Sequence, residues 1–325
     1  STRIGMRITN TGLDMNTQYH SEQLIRIDNL IRIILIGKIS NQQIKEAITF
    51  ISPDLAFNLS EDLKYAETIQ IYSEALHLLK HRQGISCNPM DLTSIDVAHL
   101  IGYVLNQSQR IDLEDDRFAR QELSNRESLE TYLRQLLNHY ARLLFVRVDF
   151  AIQQQYQSEI DIRQFHSLMK KMSNRYSNRD GCFSGLQGFA WAIEQGETKG
   201  FHCHVLLIYD GSKHQNDFGI GLAVSQYWHQ LTEGRGSCFI SNAPDYKAQF
   251  EEQGKLGIGM IHRSQPLQVE NAINSAIYLV NPEKKYQNLR VRVPRMRTFD
   301  HGNFNVHWRR GKVGKSIEVC NQSLI

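Results

Sequence analysis

The chain has 325 residues, of which 41% are hydrophobic and 22% charged, and carries a formal net charge of +3. That length accommodates a sizeable core and about two structural units. Composition excludes several classes: no apolar run approaches membrane-spanning length, the polar and basic opening Ser1–Thr11 does not read as a signal peptide, and five scattered cysteines with no CxxC pair argue against a disulfide framework. The expected setting is therefore a reducing cytoplasm, with no membrane partner. The small total charge hides an asymmetry. Residues 1–140 hold 14 Lys+Arg against 18 Asp+Glu, a net of −4, and residues 141–325 hold 23 against 16, a net of +7; the two sum to +3. A basic C-terminal half suits a polyanionic partner such as a nucleic acid.

In chain order, the first ~140 residues repeat apolar positions at three- and four-residue spacing and read as helical. Leu24, Ile27, Leu30, Ile31 and Ile34 mark one strongly apolar helix, and another begins near Asn41. Ser60-Glu61-Asp62 reads as the start of a helix running to about His81, and Gly84 with Asn88-Pro89 ends it. Thr93 caps a helix through Leu105, and a charged helix spans about Leu113 to Leu144. The period then becomes two, with Leu144, Val146, Val148 and Phe150 on one strand face and Phe145, Arg147 and Asp149 on the other. A helix at about Asp161–Tyr176 precedes a hairpin within Phe189–Gly211; a helix at about Leu222–Leu231, a strand at Gly257–His262 and a helix at about Gln268–Val280 follow it. This order describes an α+β fold, an antiparallel sheet with flanking helices, preceded by an all-α N-terminal domain.

The hairpin carries the first chemistry. His202 and His204 are two residues apart on a strand, so both leave the same face, and Cys203 and Val205 point the other way into a core. Phe189, Trp191 and Ile193 share a face on the preceding strand, which puts Glu194 on the opposite one. Closing the loop Gln195–Phe201 brings Glu194 level with the histidines. Two imidazoles and a carboxylate from neighbouring strands form a three-ligand metal site with positions open to substrate. Asp149, on the polar face of the first strand, reads either as an acceptor that orients a histidine or as half of a surface pair with Arg147.

The last helix and its sequel supply the rest. Ile273, Ala276, Ile277 and Val280 make a buried stripe with Tyr278 beside it. From Lys284 to Lys315 there are ten basic residues and one acid, Asp300. Arg290 and Arg292 alternate with Val291 and Val293 as one basic strand face, and Phe299, Phe304 and Trp308 lie where aromatic rings stack on bases. Arg290, Arg292, Arg295, Arg297, Arg309 and Arg310 are the expected DNA contacts.

Together these motifs resemble the HUH endonucleases. His202-Cys203-His204 resembles the His-hydrophobic-His motif, and Glu194 the third ligand that many rolling-circle initiators take from the preceding strand. Tyr278, C-terminal to the histidines, is similar to the nucleophile of single-tyrosine initiators. Within that superfamily, Leu144–Asp149, the hairpin and GIGMIHR through IYLVNP resemble the inovirus-type replication proteins of phages and prophages, over about residues 140–300. The resemblance implies a nickase that uses Mg²⁺ or Mn²⁺, although imidazole ligands alone favour zinc-like ions. It forms a 5′-phosphotyrosine on single-stranded or hairpin DNA and initiates rolling-circle replication with a host helicase or polymerase. A related single-strand transposase and an inactive origin- or hairpin-binding relative are the alternatives. One position departs from the pattern: the tyrosine motif often carries a lysine three or four residues on, where this chain has Asn281 and Pro282. Lys284 or Lys285 is then expected to serve near the phosphate, and Tyr286 is the fallback nucleophile. The expected divisions are a helical domain at 1–140, an HUH endonuclease domain at 141–300 and a basic extension at 301–325.

Overall fold

The computed structural model describes residues 20–52, 55, 57–83, 92–281 and 286–305. Among these the chain is a mixed α+β protein with nine helices and eight strands, every strand pairing antiparallel. The turn expected at Gly84 and Asn88-Pro89 lies outside the described residues, as do Lys284, Lys285, Trp308, Arg309 and Arg310.

The N-terminal helices are α1 (His20–Ile36), α2 (Asn41–Thr49), α3 (Glu67–Gln83) and α4 (Ser94–Asn106). Side-chain chemistry sets two of their starts. Ser40 with Gln43, and Thr93 with Asp96, each form a reciprocal capping box that satisfies orphan backbone donors at the helix entrance. Ser60-Glu61-Asp62 is a turn rather than a helix start. The Ser60 and Asp62 side chains bind each other and Arg163, a short strand β1 (Lys64–Tyr65) follows, and α3 begins only at Glu67.

The 32-residue helix α5 (Ser108–His139) leads into β2 (Arg142–Ile152), so the charged helix ends before Leu144, where the alternating period takes over. After α6 (Ile162–Asn178), capped by Asp161, comes the central hairpin, β3 (Leu186–Gly196) and β4 (Gly200–Asp210). Its loop is tighter than the sequence suggests: Gly196 and Gly200 pair directly, leaving three residues to turn, and Gly200 takes φ +58°, which favours glycine. Next come α7 (Asp217–Leu231), β5 (Gly236–Ile240), α8 (Pro244–Glu251), β6 (Gly259–His262), α9 (Pro266–Ile277), β7 (Val291–Arg292) and β8 (Phe299–His301).

The main sheet runs β5-β2-β4-β3-β8, and β6 shares the outer edge of β2 with β5. Asn242, fully buried, bridges the gap between those two short strands. Its Oδ1 accepts from the Arg147 backbone N–H at 2.7 Å, and its Nδ2 donates to the Phe145 carbonyl and to Asp217. On one sheet face Val148, Phe150, Cys203, Val205 and Tyr209 meet α6 and α7, with the Trp228 ring stacked on Phe150 at 4.7 Å. The same apolar core continues without a break into α1, α3 and α4. On the other face Phe145, Ala190, Ala192, Leu206 and Ile208 are covered by α5 and α9. Helices thus sandwich the sheet, and the end of this second face carries the polar residues of interest.

Candidate metal centre

Register builds the centre. Glu194 of β3 pairs with His202 of β4, and His204 of β4 pairs with Ala192 on one side and Asp149 of β2 on the other. Directly opposed residues of antiparallel strands project from the same face, so Glu194, His202, His204 and Asp149 converge. The ligand atoms of Glu194, His202 and His204 all lie within 4.8 Å of one another, and all three residues are buried. Glu194 Oε2 is 3.6 Å from His202 Nε2 and 3.3 Å from His204 Nε2.

The donor set fits a cation. His202 Nδ1 is 3.1 Å from the Gly200 carbonyl and His204 Nδ1 is 2.7 Å from Asp149 Oδ1. A proton on Nδ1 beside each of these oxygens would leave the Nε2 lone pair facing Glu194, the tautomer that ligation through Nε2 needs. Asp149 lies 2.7 Å from His204 Nδ1 and 4.0 Å from Arg147 Nε, so it stands closer to the histidine than to the arginine. Electrostatics follow the geometry. Burial lowers the His204 pKa, but the Asp149 and Glu194 carboxylates outweigh it and hold the imidazole above its ordinary value. Burial likewise raises Asp149, and His204 and Arg147 override it, so this carboxyl stays below its ordinary value. Cys203 faces the apolar core, and burial pushes its thiol well up, so it is a packing residue without ligand character.

Tyr278 is the C-terminal cap residue of α9, and its side chain is 53% exposed. Its ring lies 5.7 Å from the Arg147 guanidinium. Arg147 in turn stands beside Asp149, so a line of contacts runs from the tyrosine through β2 to His204. Tyr286 is also exposed, and its backbone carbonyl accepts from Arg290.

The basic segment is not a single basic face. Arg290 is buried: its guanidinium pairs with Asp28 of α1 at 2.9 Å and donates to the carbonyls of Gln195, Tyr286 and Asn288. It is a structural clamp rather than a DNA contact. Arg292, half-buried, lies near Glu114 of α5, whose carboxyl burial holds above its ordinary value against the opposing pull of that guanidinium. Arg295 and Arg297 are exposed and remain available to a polyanion, Arg297 also pairing with Asp300 at 3.0 Å.

Sequence reasoning passed over two neighbours of the centre. Phe239 of β5 pairs directly with Asp149, so it shares the site face, and it is 48% exposed. Arg147 and Tyr278 line a cavity of about 580 Å³ together with Tyr246, Phe250 and Lys255. Alternation on β2 already put Arg147 on the polar face; nothing local in the sequence points to Phe239.

The YagK/YfjJ C-terminal domain, a prophage-associated family, matches residues 105–291, more than half of the chain and the whole stretch that builds the centre. Neither a curated protein nor a solved structure matches at a significant level.

Proposed function

The chain belongs to the YagK/YfjJ C-terminal domain family, and on that premise we propose that it is an HUH-type, metal-dependent nickase of single-stranded or hairpin DNA that initiates rolling-circle replication. The observation that carries this reading is the pair of Nε2 atoms turned onto Glu194, with an exposed tyrosine linked to them through Arg147. A prophage-associated family suits a replication enzyme of a mobile element.

Glu194, His202 and His204 would hold the ion, which when bound supplies charge neutralisation at a scissile phosphate. Mg²⁺ or Mn²⁺ is the ion proposed. Asp149 and the Gly200 carbonyl keep both histidines in the ligating tautomer. Tyr278 is the nucleophile: its phenolic oxygen bonds to phosphorus, the bond to the 3′ oxygen breaks, the phenol gives up its proton and the 3′ oxygen gains one. One phosphodiester is exchanged for another, so the 5′-phosphotyrosine retains the energy needed for later resealing. The free 3′-hydroxyl is then a primer for a host polymerase.

The test is a denaturing gel of the full-length protein mixed with origin-like single strands labelled on the 3′ side of the nick. A labelled covalent adduct that needs divalent ion is expected. Binding without an adduct on any such strand would instead favour the inactive origin- or hairpin-binding relative.

A further inference from the structure

The cavity beside Tyr278 combines three features that the nicking chemistry leaves unexplained. Its wall carries two aromatic rings, Tyr246 and Phe250, whose centroids lie 5.1 Å apart at 53°. Tyr246 in turn meets Phe239 edge-on at 5.2 Å. Because Phe239 pairs with Asp149, the three rings form a row that starts beside the metal centre and ends in the cavity. Phe239 is exposed and Tyr246 and Phe250 are half-buried, so all three rings keep accessible surface.

The second feature is Arg147. Its Nε is buried and donates no hydrogen bond, and its Nη1 makes only a long 3.4 Å contact to the Ser275 carbonyl. Its Nε faces Asp149 at 4.0 Å, and the guanidinium lines the cavity, where its Nη groups can donate to a phosphodiester oxygen. Lys255 adds a second cation at the rim, and the exposed Asn274 presents an amide from α9. The third is size: about 580 Å³ lies in the middle of the range, about 300–1,000 Å³, that accommodates a small ligand or one unit of a polymer.

Resting on the nickase reading above, we propose that this cavity and the Phe239–Tyr246–Phe250 row form the subsite for the unpaired nucleotides flanking the scissile phosphate. The rings stack the bases, and Arg147 takes the neighbouring phosphate. Arg147 thereby supplies beside Tyr278 the fixed cation that Asn281 and Pro282 do not. Stacking suits any base, so the row gives affinity for single strands, and Asn274 is the side chain placed to read a base edge.

The experiment measures binding of the full chain to a fluorescein-labelled single-stranded oligo(dT) by anisotropy. Chelator is present throughout, so that cleavage plays no part. Phe239→Leu and Phe250→Leu keep apolar bulk and lose the ring; each should weaken binding roughly tenfold. A matching oligomer of abasic units should bind weakly to wild type and be insensitive to either substitution. Arg147→Gln should lower the salt slope by about 0.7, the value of one single-strand phosphate. Unchanged affinity in both Phe variants overturns the proposal, as does an equal loss for oligo(dT) and abasic strands, which would mark a structural effect. So does a wild type that does not bind oligo(dT). The two readings fail separately: ring-dependent binding without any adduct removes the nickase and keeps the subsite, and an adduct formed equally well by ring-less variants does the reverse.

Discussion

His204 Nδ1 lies 2.7 Å from Oδ1 of Asp149, its register partner on the neighbouring strand. A carboxylate there raises the ring's basicity, so on the proposed reading Asp149 would add to metal affinity through His204. Asp149→Asn should weaken Mn²⁺ binding by about 10–100-fold, measured by calorimetry, with the thermal midpoint in chelator as a control for folding. Equal affinity in the variant would return Asp149 to the role of a surface partner of Arg147.

Tyr278→Phe removes one oxygen from an exposed side chain, so folding and strand binding should survive while the covalent adduct disappears. Tyr286→Phe should still form it. A 3′-side-labelled oligonucleotide on a denaturing gel reads both, and an adduct from Tyr278→Phe would show that another nucleophile acts.

Arg290 and Arg297 should behave as opposites despite their closeness in sequence. Arg290→Met leaves buried Asp28 with Arg32 alone as its partner and takes the donor from the carbonyls of Gln195, Tyr286 and Asn288, and should cost about 1–3 kcal/mol in denaturant unfolding. Exposed Arg295 and Arg297, changed to Gln, should leave stability nearly untouched and reduce the salt slope of single-strand binding by about 0.7 for each phosphate they neutralise. A marginal effect of Arg290→Met would show that the clamp contributes little.

Glu114 offers a pH test away from the metal centre. Burial raises its carboxyl pKa above the ordinary value, more than its hydrogen bond from the Glu67 N–H and the nearby Arg292 lower it. A group raised in the folded state favours folding below its unfolded pKa, and that advantage is lost as pH rises through the folded value. Glu114→Gln retains an acceptor for Glu67 and removes the buried charge. The variant should therefore melt higher than wild type at neutral pH, with the gain shrinking towards pH ~4. A gain that is constant with pH would contradict this account.

Gly257 is set by close approach. A Cβ there would collide with the Asn271 carbonyl oxygen and crowd Ser275, both on α9. Gly257→Ala should push α9 away from the sheet at a cost of about 1–3 kcal/mol, and the displacement of Tyr278 should lower adduct yield further than stability alone explains. A variant with wild-type melting and yield would show that α9 has slack.

The centre was legible because its information is local. A period of two fixed which face His202, Cys203 and His204 take, and a short glycine-flanked turn allowed Glu194 only one register against them. The capping residue Thr93 announced its helix for the same reason. Long-range pairing was hidden. Arg290 read as a surface charge because its partner Asp28 is 262 positions away, and only the folded chain shows that the pair is dry. Phe239 lay in a Gly- and Ser-rich stretch with no strand signature, and β5 exists because the edge of β2 was free to accept it.

Gln195, next in sequence to the candidate ligand Glu194, is fully buried and serves two distant parts of the chain. Its Nε2 donates to Ser21 Oγ in α1 at 2.8 Å, and its Oε1 accepts the Arg290 backbone N–H at 2.8 Å. Both ends of the described chain are therefore tied to the residue beside a ligand. Trimming the protein to its sheet and nearest helices would delete none of the three ligands, yet it would strip both supports from the strand that carries one of them. A shortened form prepared for crystallisation or for fusion to another protein should keep Ser21 at its start and Arg290 at its finish, or its metal affinity will report the cut rather than the protein.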